Sequence, residues 1–459
     1  MPAHPASPPP PPAQSATLAA GTRTLRRAIG FWGGSAIMVG IIIGSGIFRT
    51  PPAIAQHLDS PAFILSLWVM GGVLALLGAL TYAEMACMYP ESGGVYVFIR
   101  EGYGKAAAFI FGWTYMLITK PMAAAGIAVV FGEHLNRLLG TSIDPPVLTC
   151  AVIIALTAIN ARGVTLGAGV AIVLTALKAA ALVAIVILAA ALGRLSLGSL
   201  EPATPSVSVL PALVPVMAAI LWTYDGWSDV GAIAGEVKDP QRTLPRIYLG
   251  GAAAVTVLYV LVNIAYFALV PLPEMRGTDT VAPLVAERLL GAAGATIVIA
   301  IVVVSTLGST HGSILTGARV TFAQARDGLI FKFLGAVSPR GTPAVALWTQ
   351  CALSCAAALW LRDFSRLADG FVFSMWIFYG LAGSAIFILR FRRPGATRPY
   401  RCWGYPIVPA VFVLSAAGMT IASIAQSPRD TLPWLGVLVA GWPVYFVWTA
   451  LVRRGAPAA

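Results

Sequence analysis

What most limits the folding of this chain is a succession of long apolar segments, about twelve in all, parted only by short loops that carry charges, Pro or Gly. Crossing a hydrocarbon core of about 30 Å as a helix takes roughly 20 apolar residues, and unpaired peptide groups there are too costly for open strands. Hydrophobic residues make up 58% of the 459 positions and charged residues 10%. Covering a water-facing surface takes about 25% charged residues, so the expected fold class is an all-α membrane protein of twelve transmembrane helices. The spans fall near residues 28–55, 61–87, 105–136, 146–160, 164–192, 208–237, 246–270, 288–326, 342–361, 366–391, 407–425 and 432–452. Between the seventh and eighth, Leu272 to Arg288 reads as an outer loop with a short surface helix.

A net charge of +12 raises the question of a nucleic-acid partner. Placement answers it. With the amino terminus inside, twenty basic residues fall on cytoplasmic segments and seven on outer loops, which is the bias that orients membrane proteins and meets anionic lipid. No nucleic acid is expected. The reading is a multi-pass protein of the cytoplasmic membrane with both termini cytoplasmic. Residues 1–24, rich in Pro and Ala, read as a disordered cytoplasmic tail. The five cysteines lie in apolar segments or on the inner side and suggest no disulfide framework.

Two spans are interrupted at mid-membrane, the first by Gly44-Ser45-Gly46 and the sixth by Asp225-Gly226. They lie five spans apart, which is the arithmetic of an inverted repeat, and paired interrupted helices point to a transporter's binding site. For the glycines the competing explanation is close packing of small residues; for Asp225 it is a helix-end position. A helix that stops and restarts exposes bare amides and bare carbonyls. The restart at Ser45, Gly46 and Ile47 suits a carboxylate, while the carbonyls of Ile42, Ile43 and of Trp222, Thr223, Tyr224 and Asp225 suit an ammonium. The two poles together match a zwitterionic α-amino acid.

These residues also carry a resemblance. Ile41 to Phe48, Tyr82-Ala83-Glu84-Met85, Pro90 to Gly94, Trp222 to Trp227 and Gly235 to Pro240 resemble the motifs of the amino acid, polyamine and organocation superfamily, most nearly its L-type amino acid transporter branch. The resemblance implies a LeuT-type fold with helices 1 and 6 broken: a first five-helix repeat over 25–195, an inverted second over 196–393, and two further helices over 394–459. It also implies alternating access, a substrate carboxylate near Ser45 and Gly46, an amine near Ile42, Trp222 and Asp225, Trp222 as an aromatic outer gate, and Tyr259 as an occluding residue.

Lys178 sits about halfway along an apolar span with no acid near it in sequence, where an ammonium is expensive and usually functional. The resemblance places it where sodium-coupled relatives hold sodium, bridging spans one, five and eight, with Ser309 as hydroxyl partner and Ser305 second. Sodium-independent transport follows from that likeness. Proton symport and exchange both stay open. Lys120 reads equally as a structural anchor or a pathway residue, and His311 as a packing residue. Glu84 and Glu236 read as partners for basic residues.

The substrate side chain would meet Ala123 on span three and Phe373 and Trp376 on span ten, a lining that suits neutral amino acids. A cationic amino acid or polyamine using Asp225 is the alternative. A membrane enzyme would need clustered nucleophile and base or a metal set. The four histidines have no such spacing, so no catalytic residue, metal or cofactor is expected. A non-transporting amino acid sensor on the same fold is the remaining alternative. The loop His134 to Pro146 contains no cysteine, whereas animal L-type relatives join a heavy subunit through one there, so no disulfide-linked heavy subunit is expected.

Overall fold

The structure, a computed structural model, describes residues 25–192, 209–362 and 364–455. The tail expected over 1–24 and the repeat boundary expected at 195–196 lie outside the described residues. Spans 1 to 12 are Phe31–Ala55, Pro61–Met88, Lys105–Leu139, Pro145–Ala161, Val164–Ala191, Val209–Glu236, Pro240–Leu269, Ala293–Arg326, Ala344–Leu361, Arg366–Arg392, Ile407–Gln426 and Thr431–Leu451. All but span 4 are long and apolar enough to cross a membrane. Span 4 has 17 residues, about 25 Å of helix, and packs between spans 3, 8 and 9.

Local sequence sets the helix ends. Ser60 accepts a hydrogen bond from the Phe63 amide at 3.3 Å at the start of span 2, and Pro61, Pro145 and Pro240 open their helices at a position where no amide is needed. Gly140 closes span 3 in the left-handed region, φ 64°, where only Gly pays no Cβ penalty.

Burial sorts the spans into an inner and an outer set. The most apolar windows of spans 1, 3 and 10 are 78%, 83% and 72% buried, against 17% and 6% for spans 11 and 12. The last two therefore present lipid-facing surface and the first three enclose the centre. The chain alternates direction, so Phe31, Met88, Glu236 and Arg326 lie at one end of the bundle, the near face, and Ala55, Leu139, Leu269 and Leu361 at the other, the far face.

Both expected interruptions are present. Span 1 is helical over Phe31–Ile42 and again over Gly46–Ala55. Span 6 is α-helical over Val209–Tyr224, turns at Asp225-Gly226 and continues as a tighter 3-10 helix, Trp227–Glu236. Span 3 carries a π-helical turn at Tyr115–Thr119 immediately before Lys120. The segment between spans 7 and 8 differs from the expected surface helix. It forms two short helices, Leu272–Met275 and Ala282–Leu290, whose Met275, Val281, Ala282 and Val285 are buried. The Val281 amide donates to the Phe48 carbonyl at 3.1 Å, so the segment is fastened to the far half of span 1 through an apolar face.

Candidate functional site

Where span 1 breaks, no helical ladder reaches across residues 43–45. Phe48 and Arg49 return their amides to the Ser45 carbonyl at 3.2 and 3.1 Å, and Gly44 donates to Ile42 at 2.7 Å. Among the described residues, the amides of Ser45, Gly46 and Ile47 have no backbone acceptor. Ser45 is itself buried and its Oγ has no partner. Three amides and a hydroxyl at a helix start form an anion-accepting pole.

These groups face a cavity of about 390 Å³ lined from span 1 by Ile41, Ile42, Gly44, Ser45 and Gly46, from span 3 by Lys120, Ala123 and Ile127, from span 6 by Trp222, Thr223 and Asp225, and by Ser313 and Phe371. The glycines serve packing as well as access. A Cβ on Gly46 would lie 2.6 Å from Thr223 Oγ1 and 2.9 Å from its Cα, and one on Gly226, at φ +112°, would lie 2.6 Å from Ile41 Cγ2. The two breaks thus touch each other because neither has a side chain at the crossing.

The carbonyls near the first break are mostly engaged. Ile42 accepts from Tyr259 Oη at 2.7 Å and from the Gly44 amide. Ile43 accepts from Ser305 Oγ at 3.1 Å and Ser309 Oγ at 3.0 Å. Lys178 lies fully buried beyond them, its Nζ donating to the carbonyls of Gly40 and of Ser305 (3.2 Å) and to Ser309 Oγ at 3.0 Å. It therefore ties spans 1, 5 and 8 together at the break. Ile43 and Ile47 are buried against neighbouring helices and Tyr224 packs on Tyr259 and Trp68, so these three expected residues stand behind the cavity wall.

Span 10 departs from expectation. Phe371 lines the cavity, whereas Phe373 faces a separate cavity with Val214, Pro215 and Ser423, and Trp376 packs against Tyr379 and Phe412. At about 100° per helical residue, positions 373 and 376 are turned roughly 200° and 140° from 371. The face that meets the centre runs through Phe371, Met375 and Tyr379.

Further carboxylate chemistry lies on the near side of the cavity. Lys120 Nζ pairs with Asp229 Oδ1 at 2.6 Å, both side chains 5% exposed, and Thr316 Oγ1 donates to the same oxygen at 2.7 Å. Lys120 is therefore an anchor and a cavity residue at once. Asp225 accepts from Tyr379 Oη at 2.5 Å and, among the described residues, forms no ion pair. Asp229 was not singled out from the sequence, although a second acid four residues after Asp225 in an apolar span was the available signal.

Side-chain contacts cross the bundle on both sides of the cavity. On the far side Trp222 meets Phe364 and Phe371 edge-on at 5.6 and 5.1 Å, Thr50 and Thr223 share a hydrogen bond at 2.8 Å, and Arg49 pairs with Glu133 at 2.8 Å while lying over the Phe364 ring. On the near side Glu236 pairs with Arg319 through two bonds, 2.8 and 3.2 Å, and its carbonyl accepts the amides of Ala28 and Ile29. Glu84 binds Arg390 at 3.0 and 2.6 Å and the Cys402 amide at 2.6 Å. His311 is held by the Gly167 carbonyl and Asn160.

A bundle of apolar helices with two of them broken around a small central chamber defines a membrane carrier of the LeuT-type fold. The amino acid permease family model matches residues 29–447, and the chain belongs to that family. It is a multi-pass transporter and not an enzyme. The b(0,+)-type amino acid transporter 1 of Mus musculus is 32% identical over 93% of this chain and 88% of its own length. The serine/threonine exchanger SteT of Bacillus subtilis (strain 168) is 31% identical over 92% and 97%. A solved structure of a Na+-coupled sialic acid symporter matches with a TM-score of 0.53 at 15% identity, covering 88% of this chain and 90% of that one, a likeness of fold alone.

Proposed function

We propose that the protein carries α-amino acids across the cell membrane by alternating access, independently of sodium, as an exchanger or a proton symporter, with both termini cytoplasmic. The observation that carries this reading is the run of unclaimed amides from Ser45 to Ile47 at the break, with Ser45 and Gly46 on the wall of a chamber that also contains the Asp225 carboxylate. The substrate carboxylate lies on the amides. Its ammonium lies between the Ile41 carbonyl, which has no donor among the described residues, the carbonyl of Trp222 and Asp225. Ile42 and Ile43 act from behind, their carbonyls already held by Tyr259 and the span 8 serines.

Sodium independence is supported by Lys178. Its ammonium occupies a point where two carbonyls and a hydroxyl converge, an oxygen set of the kind a monovalent metal ion would require. Ala123, Ile127, Trp222 and Phe371 favour neutral side chains on the remaining walls.

A second reading, cationic substrates, is favoured by one observation: Asp225 lines the chamber with Tyr379 as its partner and, among the described residues, no basic group paired to it. Vesicle uptake across a panel of labelled amino acids, with empty, amino-acid-loaded and acid-outside conditions, tests all of this. Neutral amino acids are expected to enter without sodium. Strict sodium dependence, or no uptake of any amino acid, would defeat the proposal; uptake of arginine abolished by Asp225→Asn would establish the second reading.

A further inference from the structure

We propose that Ser313 reads the side chain of the transported amino acid and selects side chains that can hydrogen-bond, making the preferred substrates small hydroxyl- or amide-bearing amino acids. This rests on the chamber being the amino acid site and goes further by naming the substrate class.

Ser313 lies on span 8 one helical turn beyond Ser309. Ser309 turns its hydroxyl to the backbone of span 1, donating to Gly40 at 2.7 Å. Ser313 is 1% exposed, lines the chamber, and its Oγ has no partner among the described residues. Helical hydroxyls in this bundle ordinarily return to their own helix: Thr306 donates to Val302, Thr114 to Ile110 and Thr157 to Ile153. The Ser313 hydroxyl does not. Its carbonyl already accepts from Gln350 Nε2 at 3.3 Å, so the group left over on this chamber-lining residue is the hydroxyl.

The other polar side chains on the chamber wall are accounted for. Lys120 is held by Asp229, Asp225 by Tyr379, and Thr223 by Thr50 and the Ala219 carbonyl. Two hydroxyls remain, Ser45 and Ser313. Ser45 belongs to the amide cluster that takes the carboxylate, at the span 1 break. Ser313 stands on a different helix, on the chamber wall with Lys120 and apart from the amide cluster of span 1, and the proposal places the substrate's side chain toward it. A buried hydroxyl left unpaired is unfavourable, and native structures nearly always satisfy it. A substrate hydroxyl or amide does so; a methyl group of the same shape does not.

The test uses the full chain in vesicles and the isosteric pair threonine and valine. In the unaltered protein threonine should be taken up about tenfold more efficiently than valine, the scale of one net hydrogen bond. Ser313→Ala should bring that ratio close to one, mainly through loss of threonine uptake, and Ser313→Cys should fall between. A ratio near one in the unaltered protein would overturn the assignment, as would Ser313→Ala lowering both rates equally. In either case measurable uptake of valine leaves the transport proposal standing. If the unaltered protein takes up no amino acid at all, both fall together.

Discussion

Single residues in this bundle differ sharply in what they hold up. Lys178 satisfies two carbonyls and a serine, and burial denies those carbonyls water. Lys178→Ala removes the donor these three groups share, should cost about 1–3 kcal/mol and should abolish transport, read by thermal unfolding in detergent and by vesicle uptake; a variant that transports normally would refute the assigned role. Arg319 and Glu236 are 1% and 0% exposed. Arg319→Ala leaves a buried unpaired carboxylate and should cost about 3–5 kcal/mol. Arg137→Ala, at an ion pair 48% and 68% exposed, should change stability by no more than about 1 kcal/mol, and equal losses in the two variants would contradict this ordering. Residues of this kind are readable from sequence when a charge stands in an otherwise apolar run. That is why Lys178, Asp225 and Lys120 could be named in advance, and Glu84 and Glu236 paired in kind. Asp229 was as visible as they were. Ser313 and Phe371 were not, because serine and phenylalanine are ordinary in membrane helices and only the helix's rotation decides which of them faces the chamber.

At the scale of elements, the breaks in spans 1 and 6 were legible because Gly-Ser-Gly and Asp-Gly are poor continuations of a mid-membrane helix. Hidden from the sequence were the 3-10 winding of Trp227–Glu236, the π turn at Tyr115–Thr119 and the burial of the segment before span 8. Two of these have partners far along the chain: the 3-10 helix ends where Glu236 meets Arg319 and residues 28–29, and the segment is bonded to Phe48. The crossing of the two breaks gives a sharp test. Gly46→Ala drives a methyl group to 2.6 Å from Thr223 Oγ1 and should sharply reduce transport. Gly250→Ala, with nothing within 4 Å of its added carbon, should be neutral or stabilise by about 0.5–1 kcal/mol through helix propensity. Equal transport by both variants, measured at matched amounts of protein in vesicles, would mean that the crossing does not constrain the site.

At the scale of the whole molecule, the two closures of the chamber are built from different materials. The far closure is rings, a threonine pair and one ion pair whose partners are 23% and 31% exposed. The near closure holds Arg319–Glu236, 1% and 0% exposed, and Arg390–Glu84, whose carboxylate is fully buried while its arginine is 23% exposed. Arg49→Ala should therefore leave global stability within about 1 kcal/mol while opening the far side more often. Labelling of Ala123→Cys by a membrane-impermeant maleimide should accelerate in that background, with the unaltered chain as the blank for the native thiols; an unchanged labelling rate would count against a far-side latch. The mismatch between the closures acts like a turnstile with one stiff bar and one loose one. On the proposed cycle an empty carrier is expected to open first toward the face where span 1 ends, load its passenger there, and need that passenger's own binding contacts before the stiffer side yields.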